Sequence, residues 1–247
     1  MSENTGWINW NQAAVLSDRY LEMTLSDWRN TGFQLLLAPI VGGLGAMVWG
    51  NVGKATESLY FYMTLTAIFL GCTDSCREIV KERSLFVRER MVNLDVGAYL
   101  FSKVRVLALV NIVQVVTFSL VLYKAVDVRV GIGWLIINLL VTCIMGSCLG
   151  LLISSAVRQS NIALGMIPLV ILPQFIFSEF AIPKDQFEGA SEWIYQLMPA
   201  RWGFESLRHF SATEPDWIAG TGHLVPLIFF SLGFLILAYP ILKRIRY

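Results

Sequence analysis

Apolar residues gather into six runs along the chain, separated by polar stretches. The runs cover residues 32–50, 59–74, 104–123, 130–157, 161–177 and 224–242. Each is close to, or above, the roughly 17–25 residues that a helix needs to cross a bilayer, so the pattern predicts six membrane spans. The first run carries Pro39 and the small residues Gly42, Gly43 and Gly45, which let a neighbouring helix approach closely. Asn111 and Gln114 stand deep in the third run, where they are expected to bond to other helices, and Arg105 near its start can snorkel to the interface. The fourth run is longer than a bilayer requires and contains Gly146 and Gly150 at helix-packing spacing. Arg158 to Ser160 form a tight turn. Pro168 and Pro173 interrupt the fifth run and predict a kink.

Three segments break this pattern. Residues 13–28 suit an amphipathic helix, with Ala14, Leu21, Leu25 and Trp28 on one face and Asp18, Arg19, Glu22 and Arg29 mainly elsewhere. Such a helix lies along a membrane surface or packs on a partner. Residues 77–103 are strongly charged and lie between the second and third runs. Residues 179–222 form the one long connection and are rich in aromatics (Phe187, Trp193, Tyr195, Trp202, Phe204, Phe210 and Trp217), which suits helices at a membrane–water interface. Trp7 and Trp10 mark a polar start that lacks the basic and apolar order of a cleavable signal.

Composition narrows the class. Of 247 residues, 55% are hydrophobic and only 15% charged, against about a quarter charged in a soluble domain. The mean hydropathy is +0.60. This is an integral membrane protein, and a net charge of +1 points to no nucleic-acid partner. Cys72, Cys76, Cys143 and Cys148 all lie in or beside apolar runs and form no disulfide framework. Cys72 and Cys76 share a helix face, but no His accompanies them, and two packed thiols is the plainer reading than a metal site.

Orientation follows from Lys and Arg. Six spans place both termini, the charged stretch and the Arg158 turn on one side. Of nineteen basic residues, only Lys54, Lys124, Arg129, Lys184, Arg201 and Arg208 fall on the other. The termini and the charged stretch are therefore expected in the cytoplasm and the aromatic connection outside.

No catalytic constellation is present. His209 and His223 are the only histidines, and no metalloprotease or nucleophile-elbow motif occurs. Gly50 to Lys54 is too short for a phosphate-binding loop, so any ATP would be bound by another polypeptide. Within the charged stretch, Val80, Val87, Met91 and Leu94 fall on one helical stripe, opposite Lys81, Glu82, Arg88 and Glu89. The stretch reads either as a solvated loop or as a docking helix whose apolar anchors enter a groove on a soluble partner. Glu179, at the end of the fifth run, either lines a pathway or faces outer water.

The residues from Glu82 through Ser84, Leu85, Phe86, Val87 and Arg88 to Arg90, followed by Ala98, Tyr99, Leu100, Phe101, Ser102 and Lys103, resemble the connection between spans two and three of the ABC transporter G subfamily. Ile176, Phe177 and Ser178, then Pro199, Ala200, Arg201, Trp202, Gly203, Phe204 and Leu207, resemble that family's outer loop. Thr24, Leu25, Asp27, Trp28, Arg29 and Asn30 resemble its membrane-entry helix. Order and spacing agree over nearly the whole chain.

The resemblance implies an all-α polytopic membrane protein of the ABC type 2, or type V exporter, fold. Residues 1–30 would be a tail and amphipathic connecting helix, and residues 31–247 a six-span transmembrane domain. A cytoplasmic coupling helix would lie between spans two and three, and short re-entrant helices before span six. By position, Glu82, Arg83, Phe86, Arg88, Glu89, Arg90 and Met91 would dock the ATPase. Thr66, Ala67 and Leu70 with Leu172, Phe175 and Ile176 would line a substrate cavity at a dimer axis, and Glu179, Phe180 and Ala181 would form the outer gate. Glu179 stands where the family usually has glycine, which implies a more polar gate. The family's fused N-terminal nucleotide-binding domain is absent, so the ATPase is a separate subunit or this chain is part of a longer one. An outer loop without cysteines suits a prokaryote.

The expected function is the permease subunit of an ATP-driven exporter of the bacterial plasma (inner) membrane. It would move a hydrophobic or amphipathic substrate outward by alternating access, beside a second copy of itself or a paralogous permease. It would carry no cofactor, with ATP and Mg on the partner ATPase. The alternative is a non-transporting membrane scaffold that recruits a cytoplasmic ATPase or assembly partner. A channel is disfavoured, because the spans offer no ring-forming charges.

Overall fold

The computed structural model describes residues 9–52, 55–179, 181, 188–212 and 214–245. Trp7, Phe180 and Phe187 lie outside them. Among the described residues the chain is helical and contains no strand. Eleven helices follow one another among these residues: α1 (Trp10–Ser26), α2 (Trp28–Trp49), α3 (Glu57–Ser75), α4 (Arg83–Arg90), α5 (Val96–Ala125), α6 (Ile132–Ala156), α7 (Ser160–Ile176), α8 (Ala190–Leu197), α9 (Pro199–Ser211), α10 (Trp217–Gly222) and α11 (Leu224–Arg244). Four segments are long and apolar enough to cross a membrane: α2, α5, α6 and the run Trp217–Arg244 formed by α10 and α11. α7 is a shorter apolar helix. It continues through both Pro168 and Pro173.

The bundle is organised around α3, which is enclosed along most of its length. Its closest neighbour is α6, and small residues set how close. A Cβ on Gly71 would stand 2.0 Å from the Cys143 carbonyl oxygen, one on Gly146 2.5 Å from that of Ile68, and one on Gly150 2.6 Å from that of Cys72. The two backbones therefore touch directly, which is the packing that the small residues of α6 predict. α2 shows the same device more sparingly: Gly42 and Gly45 face Phe118, Val121 and Tyr62, whereas Gly43 has open space beside it.

Polar side chains inside the bundle bond across helices, as unsatisfied amides in an apolar medium must. Asn111 donates to Ser147 Oγ at 2.8 Å, Gln114 to the Gln34 carbonyl at 2.9 Å, and Asn138 to the Gly203 carbonyl at 3.3 Å. The aromatic connection folds as α8, α9 and α10. α9 is driven into the bundle, with Ala200, Phe204, Leu207 and Phe210 in the same apolar core as Leu59, Met63 and Leu139. Trp193, by contrast, is exposed.

Two helix readings need correction. The stripe Val80–Val87–Met91–Leu94 does not lie on one helix. Ser154 Oγ accepts from the backbone N–H of both Ile79 and Val80, at 3.0 Å each. Those donors are thereby taken from any continuing helix, so the chain turns between α3 and α4. For α1, the buried face is not the expected one of Ala14, Leu21, Leu25 and Trp28: Ala14 is exposed and Trp28 begins α2. Ala13, Leu16, Ser17 and Tyr20 are buried as the helix packs on α5, while Leu25 and Trp28 point outward.

Candidate functional site

The charged stretch forms a platform at the end of the bundle where α3 stops. Asp95 accepts from the backbone N–H of Gly97 at 3.0 Å and starts α5, so Lys103 stands two turns inside that helix. The residue is 1% exposed. It donates to Glu82 Oε2 at 2.6 Å, lies 3.9 Å from Glu78 Oε2, and sits 3.5 Å from the centre of the Tyr20 ring. The Tyr20 hydroxyl donates to Glu78, which also pairs with Lys81. Burial first, then the neighbouring Glu78 carboxylate, hold the Tyr20 phenol well above its usual range. The result is a closed set of two carboxylates, two ammonium groups and a phenol joining α1, the α3–α4 turn and α5.

Further bonds tie the platform outward. Arg83 donates to the Val157 carbonyl at the end of α6, at 2.8 Å, and burial, then Arg158, lower its pKa. Arg90 donates to the Leu242 carbonyl near the end of α11, also at 2.8 Å. Both reach carbonyls in the last turn of a helix, where intrahelical donors run out. Arg19 on α1 grips Glu89 on α4 with both terminal nitrogens. Asn9 and Gln12 exchange bonds with Asp95 at 2.9 Å each. Asn93 closes the segment in the left-handed region, with φ of 66°, a conformation asparagine tolerates better than most residues.

Most of the residues singled out in the charged stretch therefore face inward. Glu82 is buried against Lys103, and Phe86 is 1% exposed with its ring 4.9 Å from that of Tyr99. Arg83, Glu89 and Arg90 are committed to other helices. Arg88 and Met91 remain outward, joined by Ser84 and by Val92, which is 80% exposed. Arg19, Tyr20, Glu78 and Lys103 were not foreseen as site residues. The burial of Ala13, Leu16 and Tyr20 at helical spacing was a readable signal for one of them, but no local pattern marks the other three.

The six cavity residues do not share a surface within the chain. Thr66, Ala67 and Leu70 are buried, because the face of α3 that carries them packs inside the bundle. Leu172, Phe175 and Ile176 are exposed on α7. The partly open stripe of α3 is instead Leu65, Phe69 and Thr73, close in register to the expected positions. Cys72 and Cys76 pack with Ile153, Ala163 and Ile167.

At the far end of α3, Glu179 neither faces water alone nor stands free. Its Oε1 accepts from the Tyr195 hydroxyl at 2.6 Å and its Oε2 from Arg208 at 3.3 Å. Arg208 also reaches Glu57 at 3.3 Å. Burial first, then the hydrogen bond to Glu179, raise the pKa of Tyr195. This carboxylate ties the end of α7 to α8 and α9, and Arg208 extends the link to Glu57 at the start of α3. Ala181 is exposed, and Phe180 lies outside the described residues.

Long apolar helices with a charged platform at one end define an integral membrane protein of polytopic helical class. Residues 11–210 match the family model described as ABC-2 type transporter, and the chain belongs to that family, whose membrane domain is the permease component of a transporter. Its relatives include ABC G-family members. It is 27% identical over 212 residues to the ABC transporter ATP-binding/permease protein Rv1747 of Mycobacterium tuberculosis, covering 78% of this chain and 24% of that protein. It is 23% identical over 218 residues to ABC transporter G family member 39 of Arabidopsis thaliana, covering 81% of this chain and 15% of the relative. The chain thus spans about a quarter or less of the length of these relatives.

Proposed function

We propose that this chain is the permease subunit of an ATP-driven exporter, with a separate nucleotide-binding subunit docked on the platform of residues 78–95. The observation that carries this reading is the set of bonds joining that platform to α1, α5, α6 and α11. A push on α4 is delivered through Arg19, Lys103, Arg83 and Arg90 to four helices at once, as alternating access requires. The docking face is Ser84, Arg88, Met91 and Val92, apolar at its centre and basic at one edge. The inward residues Glu82 and Phe86 transmit rather than touch. The pairing of ATP-binding and permease functions in the name of the mycobacterial relative supports an ATPase partner, which would hold ATP and Mg.

In this reading α3 and α7 complete six spans. Their 19 and 17 residues reach about 28 and 26 Å at 1.5 Å per residue, close to the hydrocarbon thickness of about 30 Å. A second copy, or a paralogous permease, faces the first across the exposed Leu172, Phe175 and Ile176 and the half-open Leu65 and Phe69. The substrate passing there is hydrophobic or amphipathic: a lipid, lipid-linked glycan or drug. The membrane is the bacterial inner membrane, with both termini and the platform cytoplasmic.

The test is intact-complex mass measurement of the chain purified with a nucleotide-binding subunit encoded beside it. Two permease and two ATPase chains are expected, and Met91→Asp with Val92→Asp should release the ATPase while leaving the permease folded. A permease that never retains the ATPase, or a double variant that retains it fully, would remove the docking assignment.

A further inference from the structure

A cavity of about 330 Å³ opens between the α1–α2 junction, the last turn of α3 and the middle of α5. Its polar lining includes Asp27, Asn30, Gln34, Asp74, Glu78 and Glu82. Asp74 distinguishes it from an ordinary charged crevice. That side chain is 1% exposed, and neither of its carboxylate oxygens is closely hydrogen-bonded, with the Gln114 amide as its polar neighbour on the bundle side.

Two of the nearby cations are committed to other carboxylates, and Arg77 is the one whose charge acts on Asp74, without an ion pair to it. Lys103 serves Glu82 and Glu78, and Lys81 serves Glu78. Arg77, on the turn after α3, reaches Asn30 Oδ1 at 3.4 Å. The neighbouring Gln114 amide donates to the Gln34 carbonyl at 2.9 Å. A carboxylate enclosed in this way either keeps its proton or is charged against a positive partner that enters the cavity.

We propose that the cavity binds a protonated amine, its ammonium seated against Asp74. A bare metal ion fits less well, because among the described residues no three His, Cys, Asp or Glu side chains converge to hold one. The volume is about ten times the roughly 30 Å³ share of one liquid water, room for an ammonium group and a short polar chain. Asn30 and Thr24, which also line the space, carry oxygens able to accept further ammonium hydrogens. The ethanolamine headgroup of a lipid and a free alkylammonium ion offer the same chemistry. The site stands apart from the docking face and does not depend on an ATPase binding there.

The probes are ethanolamine, titrated against the full chain in phosphatidylglycerol nanodiscs, and phosphatidylethanolamine, introduced in increasing fraction into the discs. The readout is the thermal unfolding midpoint, with sodium chloride at matched concentration as the ionic control. A midpoint raised by either amine source supports the site, and the arm that responds identifies the source. Asp74→Asn should weaken the response about tenfold or more, the loss expected of one charge-assisted contact. Met23→Trp, at the rim where Met23 is 42% exposed, should block entry, and carries the test if the first variant does not fold. The proposal is overturned if neither source shifts the midpoint, if sodium shifts it equally, or if the folded variants respond like the unaltered chain.

Discussion

Replacing Lys103 by methionine tests the platform at its centre. The ammonium stands 2.6 Å from Glu82 and 3.9 Å from Glu78. At an effective dielectric of about 20, unit charges at those distances attract by about 6 and 4 kcal/mol. Desolvation of the three buried groups offsets most of that sum, and the intact cluster stabilises the fold only modestly. The loss on removing one partner is a different quantity. Glu78 keeps Tyr20 and Lys81, but Glu82 keeps no cation, and its Oε1 already lacks a donor. Stranding such a charge costs about 3–5 kcal/mol, a drop of two to three orders of magnitude in the folded-to-unfolded ratio.

The pairing argument makes a sharper claim about Lys103→Met with Glu82→Gln. Removing both charges leaves no stranded group, so the double variant should recover at least about 2 kcal/mol relative to the Lys103 variant alone. Chemical unfolding of the detergent-solubilised chain, followed by tryptophan fluorescence, measures all corners of the cycle. A single variant within about 1 kcal/mol of the original chain, or strictly additive effects, would refute the cluster as the element joining α1, α4 and α5.

Gly71→Ala should destabilise by about 1–3 kcal/mol, the usual cost of overpacking, because its new methyl meets the Cys143 carbonyl at 2.0 Å; the same unfolding measurement checks it. Burial pushes the Cys76 thiol up to about 11, so at pH 7.5 its thiolate fraction is roughly 300-fold below that of an unperturbed cysteine. Maleimide labelling followed by mass measurement should find it unmodified in the folded chain and modified after denaturation. The raised pKa of Tyr20 stabilises the fold fully below about pH 10, and that contribution fades as pH climbs from 10 toward the folded value. Each retained proton steepens the alkaline loss by up to about 1.4 kcal/mol per pH unit, and Tyr20→Phe should flatten the alkaline limb of a melting-temperature profile.

What the sequence made legible was set by local periodicity. The apolar runs mark the helices, and Asn111, Gln114, Gly146 and Gly150 lie in the contacts their residue types predict, because amides in apolar surroundings and small residues on a helix each have few other uses. The interruption at residues 76–82 was hidden, since it depends on the hydroxyl of Ser154, more than seventy positions away. The facing of α3 was hidden for a related reason: its composition is apolar all round, so no stripe distinguishes Thr66 and Leu70, which are enclosed, from Leu65 and Phe69, which are partly open. Lys103 stands out in the sequence only as the last residue of the Ala98–Lys103 segment that resembles the family's connection between spans two and three. Its actual partners come from the α3–α4 turn and α1, and no pattern around it names them.

The inward turning of Glu82 and Phe86 changes how the platform can work. A docking element whose charges all faced the partner could be pulled away without moving the membrane helices. Here the outward side chains, Arg88 on α4 and Met91 and Val92 in the turn that ends it, belong to a segment fixed on its other side by Phe86 on Tyr99, Arg90 on Leu242 and Glu89 on Arg19. On the proposed docking, recognition and transmission use different side chains of this segment and can be separated by mutation. Met91→Asp should reduce ATPase binding with little effect on folding. Phe86→Ala should cost about 3–5 kcal/mol of stability and loosen α4 from α5. Under mild conditions that keep the chain folded, it should leave ATPase binding nearly intact while uncoupling hydrolysis from transport.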